Sequence, residues 1–223
     1  MRHALVRWRP VPVRSAPGVL MALAFSAAIC AGWPTPALAV GDAEAGRALF
    51  TEKQCARCHV PRGLQAPGPP FELLQRPQGE MELAGRLWNH LPGMVAALGQ
   101  TGFQWPSIGE REMADLMTFL QAKAGRDPAP DFRKGQLLIL RKGCLKCHSL
   151  RREGGRVKPD LADHRKDYES AAAWAATMWK HTPAMSAMSS RMGLPYPRFA
   201  DDEMAQLVGF LRRSAEMAAP PSR

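Results

Sequence analysis

Two five-residue runs, Cys55-Ala56-Arg57-Cys58-His59 and Cys144-Leu145-Lys146-Cys147-His148, hold four of the five cysteines of the 223-residue chain. Two thiols spaced by two residues and followed at once by a histidine form the pattern of c-type haem attachment. The sulfurs bond the haem vinyl groups from adjacent turns, and the histidine reaches the iron from one face. His59 and His148 are therefore the expected iron ligands on that face, and two covalent haem c groups are the expected cofactors. A zinc site would want further Cys or His at ligand spacing. A thioredoxin-like redox pair would want a strand-helix-strand setting. Neither accompanies these cysteines.

The second run lies 89 residues after the first, and the surrounding residues recur in register. Gly46 and Gly135 each stand nine residues before their first cysteine, and Phe50 and Ile139 each stand five before it. Downstream, Trp88-Asn89-His90-Leu91-Pro92-Gly93-Met94 matches Trp179-Lys180-His181-Thr182-Pro183-Ala184-Met185. The pairs Met113/Met204, Leu116/Leu207 and Phe119/Phe210 follow without a gap, which marks a duplication.

The ligand on the other face decides whether the iron carries electrons or binds substrates, because a strong sixth ligand closes the site. A soft thioether also favours ferrous iron and raises the potential. Met94 and Met185 are the candidates, each just after a proline in an expected irregular turn and each ahead of the last helix of its half. In a chain with twelve methionines, packing is the ordinary role, and Met113 and Met204 fit it. The competing ligands are His90 and His181, which would give bis-histidine iron of lower potential. Trp88 and Trp179 are expected to pack on the haem or a neighbouring helix. His164 has no counterpart in the first half and reads as a surface residue.

The elements that must position these groups are helical. Asp42 is a plausible cap for a helix over residues 43–51. Met113, Leu116, Phe119 and Leu120 form an apolar stripe at helical spacing, repeated by Met204, Leu207, Phe210 and Leu211. No segment alternates as a strand would. Residues 62–77, with four prolines and two glycines, read as an irregular loop. The expected organisation is a first domain over 41–124, a Pro- and Gly-containing linker over 125–130, a second domain over 131–214 and a loose tail over 215–223.

Residues 1–39 read as an export signal: Arg2, Arg7, Arg9 and Arg14 precede an apolar run from Val19 to Ala31, and Ala37-Leu38-Ala39 offers a cleavage site. The run is shorter than the roughly 20 residues of a membrane span. Ile29 before Cys30 argues against lipid attachment. The mature chain is expected to begin at Val40, in the periplasm, without a transmembrane span. Losing four arginines lowers the formal net charge from +10 to +6. Haem carboxylates would lower it further, so the basic balance is no argument for nucleic acid.

On these motifs the chain resembles class I c-type cytochromes, in particular the dihaem tandem kind of which cytochrome c4 is a member. The resemblance spans nearly all of residues 41–214. It implies an all-α fold of two tandem cytochrome c domains, each a small helical bundle wrapped around a covalent haem c. It implies a close crossing of first and last helices at Gly46 against Phe119 and at Gly135 against Phe210. It also implies a proline carbonyl on each attachment histidine, from Pro69 or Pro70 in the first half and Pro159 in the second. The function so implied is periplasmic transfer of single electrons between a redox protein donor and acceptor, with no catalytic residues. The alternatives are a cytochrome subunit of a periplasmic or membrane-bound oxidoreductase and a dihaem enzyme such as a peroxidase. Residues 141–158 carry seven basic residues against Glu153 alone, which suits an acidic partner surface.

Overall fold

Asp42 and Asp131 open the two halves of the molecule in the same way. The carboxylate of Asp42 accepts the Glu44 and Ala45 N–H groups at 2.7 and 3.0 Å, and that of Asp131 accepts those of Arg133 and Lys134 at 2.9 and 3.1 Å. These are donors that a helix start otherwise leaves without partners. A computed structural model of the chain describes residues 41–218. The export segment with its cleavage site after Ala39 and the final five residues lie outside the described residues. In chain order the helices are α1 (Ala43–Glu52), α2 (Phe71–Leu74), α3 (Glu80–Thr101), α4 (Glu110–Phe119), α5 (Phe132–Arg141), α6 (Ala171–Arg191) and α7 (Glu203–Ala218). The fold is all-α apart from a two-residue hairpin, Ser149–Leu150 with Glu153–Gly154, that the sequence pattern does not announce.

Within each half the first helix lies on the last, α1 on α4 and α5 on α7. A Cβ at Gly46 would sit 2.1 Å from the Asp115 carbonyl oxygen, and one at Gly135 would sit 2.3 Å from that of Gln206. Only glycine permits that approach, and the next atoms met are the Cβ atoms of Phe119 and Phe210. The same contact is bolted by hydrogen bonds, Asp42 N–H to the Asp115 carboxylate at 2.7 Å and Asp131 N–H to the Gln206 side-chain oxygen.

The halves meet along α3 and α6, with α4 also on α6 and α3 also on α7, an arrangement with approximate two-fold symmetry. Trp88 on α3 donates its indole N–H to the Pro197 carbonyl, and Trp179 on α6 donates to the Pro106 carbonyl, both at 2.7 Å. Tyr196 stacks on Trp88 at 5.0 Å between ring centres, and Trp105 stacks on Trp179 at 4.5 Å. Both tryptophans are about 5% exposed, and one apolar core runs from Phe50 to Ala215 across the seam. Burying one large apolar side chain contributes about 1.5–3 kcal/mol. The seam is therefore part of the core and not a surface docked afterwards.

Three expectations change. Met94 and Met185 do not stand in irregular turns: α3 and α6 continue through Pro92 and Pro183 and carry both methionines. A proline inside a helix removes one hydrogen bond and costs about 3 kcal/mol when nothing replaces it. At Pro183 the carbonyl so released, that of Trp179, takes the Trp105 indole N–H at 3.2 Å instead. The tail begins later than residue 215, because Ala215 extends the buried face of Leu211 one turn further and α7 runs on to Ala218. The loop over 62–77 contains the single turn α2.

The segment over 125–130 is fastened at both ends. The Asp127 carboxylate accepts the Met81 and Glu82 N–H groups at 2.9 and 3.2 Å and so caps α3. Pro130 lies against Gly209 of α7, where a Cβ would come 2.3 Å from the proline ring.

Candidate functional site

Each attachment run begins with one residue in the left-handed region, Gln54 at φ 63° and Gly143 at φ 72°. A single 3₁₀ turn follows, Cys55–Arg57 in the first half and Cys144–Lys146 in the second. His59 N–H closes on the Cys55 carbonyl at 2.9 Å, and His148 N–H on that of Cys144 at 3.0 Å. This winding brings both thiols and the histidine of each run to one side of the turn.

The chain then doubles back to fix the imidazole. Nδ1 of His59 lies 3.1 Å from the Pro69 carbonyl oxygen, and Nδ1 of His148 lies 3.0 Å from that of Pro159. A carbonyl can only accept, so Nδ1 carries the proton and Nε2 keeps its lone pair. Pro69, not Pro70, is the counterpart of Pro159. A Cβ at Gly68 would come 2.8 Å from His59 Nδ1, which shows how tightly the returning loop is drawn over the ring.

Both histidines open onto a cavity, about 380 Å³ in the first half and about 360 Å³ in the second. The first is lined by Cys55, His59, His90 and Met94, and the second by Cys144, Cys147, His148, His181 and Met185. The second cavity thus brings together all the expected site residues of its half, and the first brings together all but Cys58, which follows Cys55 in the same turn without lining the cavity. Burial pushes the Cys55 and Cys144 thiols up to about 11, so they stay protonated at neutral pH. Burial also holds His59, His90, His148 and His181 below the ordinary histidine value, in the neutral form that can ligate iron. Among the described residues no three His, Cys, Asp or Glu side chains come together as a metal cluster, so the histidine pairs belong to no larger donor set. A neutral imidazole on a largely apolar cavity, with one thiol lining it in the first half and two in the second, fits a covalently held haem.

His90 and His181 face the attachment histidines across these cavities. Ring centres are 5.7 Å apart for His59 and His90 and 6.1 Å apart for His148 and His181, with the planes tilted 54° and 52°. The walls are exchanged between halves: Trp179 lines the first cavity and Trp88 the second.

Sequence reasoning underrated two residues. His164 lines the second cavity, its Nδ1 3.2 Å from the Asp167 carboxylate, and is not a plain surface residue. Asp160 is buried and gathers Ser149 Oγ–H and the N–H groups of Arg151, Arg152 and Ala162 at 2.6–2.9 Å. Neither has a counterpart in the first half, so comparison of the repeats carried no signal for them.

A sequence model of the cytochrome c family matches residues 43–123 and again residues 132–215. The chain belongs to the cytochrome c family. No curated protein and no solved structure matches it. Membership makes this cytochrome an electron-transfer haem protein with two tandem cytochrome c domains and with redox partners. No helix among the described residues is long and apolar enough to cross a membrane. The repeated domain also accounts for the conformation at Gln54 and Gly143, since in both halves a left-handed residue must turn the chain out of the first helix before the thiols.

Proposed function

We propose that this cytochrome is an exported dihaem carrier of the tandem, cytochrome c4-like kind. One haem c is held by Cys55, Cys58 and His59 and the other by Cys144, Cys147 and His148. Electrons enter singly from a redox protein donor and leave to a redox protein acceptor, in the periplasm. Bound haem iron supplies a reversible one-electron couple. The chain's own residues hold, orient and insulate that couple. The thiols anchor it, and the carbonyls of Pro69 and Pro159 fix the tautomer and angle of each imidazole. The sixth ligand of each iron comes from α3 or α6, where Met94 and Met185, the ligands named by soft-donor chemistry, stand one turn beyond His90 and His181.

The observation that carries the reading is the exchange of walls at the seam. Each cavity is closed by a tryptophan of the other half, so both sites share one buried core. An electron passing between them stays inside protein. Exposed Arg141, Lys146, Arg151, Arg152 and Arg156 surround the second attachment run, and charge of one sign there steers an acidic partner to that site.

The test is a covalent haem count on protein recovered from the periplasm. Two haems per chain, an N-terminus at Val40 and two one-electron waves in a redox titration are expected. Replacing Cys55 and Cys58 together with serine should leave one. A count of one in the unaltered chain, or retention in the cytoplasm with residues 1–39 intact, would remove the proposal.

A further inference from the structure

The geometry points to bis-histidine ligation at both irons, with His90 the sixth ligand in the first half and His181 in the second, in place of Met94 and Met185. This rests on the two-haem reading above and deepens it.

Metal–imidazole bonds run about 2.0 Å, so two imidazoles sharing one metal have ring centres about 6 Å apart once the ring radius is included. The separations in the structure are 5.7 and 6.1 Å, and both rings of each pair line the same cavity. The Nδ1 atoms of His59 and His148 are already committed to the proline carbonyls, which leaves Nε2 for the metal. His90 and His181, both half-buried on the cavity walls, have no hydrogen bond to a protein group among the described residues, which leaves their ring nitrogens available. The same separation recurs in both halves, at equivalent positions of the duplicated Trp-x-His-x-Pro-x-Met element.

The helix makes histidine and methionine exclusive of one another, and the ring separations favour the histidines. His90 and Met94, like His181 and Met185, are four residues apart on a continuous helix, about 6 Å along its axis. One iron cannot take both. With the histidine opposite the attachment histidine, the thioether stands a turn away along the same wall. There it packs as methionine commonly does in irregular apolar space.

The experiment begins with the haem count, because fewer than two haems per chain would defeat the carrier reading and ligation at two irons together, whereas a failed ligation test with two haems present would defeat this inference alone. With two haems present, the oxidised protein is expected to lack the weak red absorption band of a thioether bound to ferric iron. Met94→Leu and Met185→Leu should leave the low-spin spectrum and both potentials unchanged. His90→Ala should turn one of the two irons high-spin and open it to cyanide, and added imidazole should restore the low-spin spectrum. His181→Ala should do the same for the other. A thioether band scaling with two haems, or loss of low-spin iron in the methionine variants, would overturn the inference. Should the alanine variants fail to fold, the wild-type spectrum and the two leucine variants decide it alone.

Discussion

The two attachment loops solve one problem by different means. Both must return the chain to place a proline carbonyl on a histidine, Pro69 on His59 and Pro159 on His148. The first loop does it with covalent stiffness: Pro61, Pro67, Pro69 and Pro70 restrict the unfolded chain, so less entropy is lost on folding. The second has one proline between the histidine and that carbonyl's neighbour, and relies on the buried carboxylate of Asp160. Its four bonds hold Arg151 and Arg152 at φ 52° and 71°, a region side chains avoid. Proline stiffness needs no partner, whereas a carboxylate staple exists only when every donor is in place. The price of the staple is vulnerability; its return is a loop free to carry three exposed arginines, Arg151, Arg152 and Arg156.

The comparison can be broken first where the halves are alike. Gly46→Val and Gly135→Val each force a side chain into a carbonyl, and each should cost about 4 kcal/mol, at the upper end for single substitutions. Urea unfolding followed by helix circular dichroism reads this. If only one variant is destabilised, the crossings are not equivalent.

Next comes the staple. Asp160→Ala leaves buried donors without an acceptor and should cost about 3 kcal/mol, while Pro70→Ala at the matching place should cost under about 1 kcal/mol. Equal losses would erase the distinction between the loops.

Acid exposes a shared feature. The Lys53 ammonium, 2.7 Å away, and the Gly109 N–H hold Glu112 below the usual carboxylate range. Burial opposes the same shift at Glu203, but Lys142 at 2.7 Å and the Ala200 N–H prevail. Both folded values are depressed, so their stabilisation is present above the unfolded value of about 4.5 and is lost as pH falls below it. The stability gap between wild type and Glu112→Gln or Glu203→Gln should therefore be clear at pH 7 and close with falling pH. A gap that persists unchanged in strong acid would mean the ties are not ionic.

The smallest effect is expected at the left-handed residue before the thiols. Gln54→Gly should stabilise by about 0.5–1 kcal/mol, and Gly143→Gln should destabilise by a similar amount. Thermal unfolding of the two variants side by side measures it.

What was legible in the sequence follows from how local each signal is. The caps at Asp42 and Asp131, the attachment runs and the crossing at Gly46 and Gly135 are written in spacing that the duplication repeats. The carbonyl of Pro69 needed the structure to separate it from Pro70, because both residues suit the returning loop. The helix running through Pro92 and Pro183 was read as a turn, since proline alone argues for a break. The hydrogen bond that replaces the lost one at Pro183 comes from Trp105, 74 positions away. The pairing of Trp88 with Pro197 spans 109 positions and leaves no local pattern. Asp160 and His164 stayed hidden because they occur in one half only.

The exchanged tryptophans bear on inheritance. After duplication two copies are ordinarily free to drift apart, each answering only for its own task. Here neither copy owns a complete container: a change at Trp88 is felt in the second cavity, and a change at Trp179 in the first. The halves are thus bound to a common history, and adjusting one redox centre through its nearest helix readjusts the other as well.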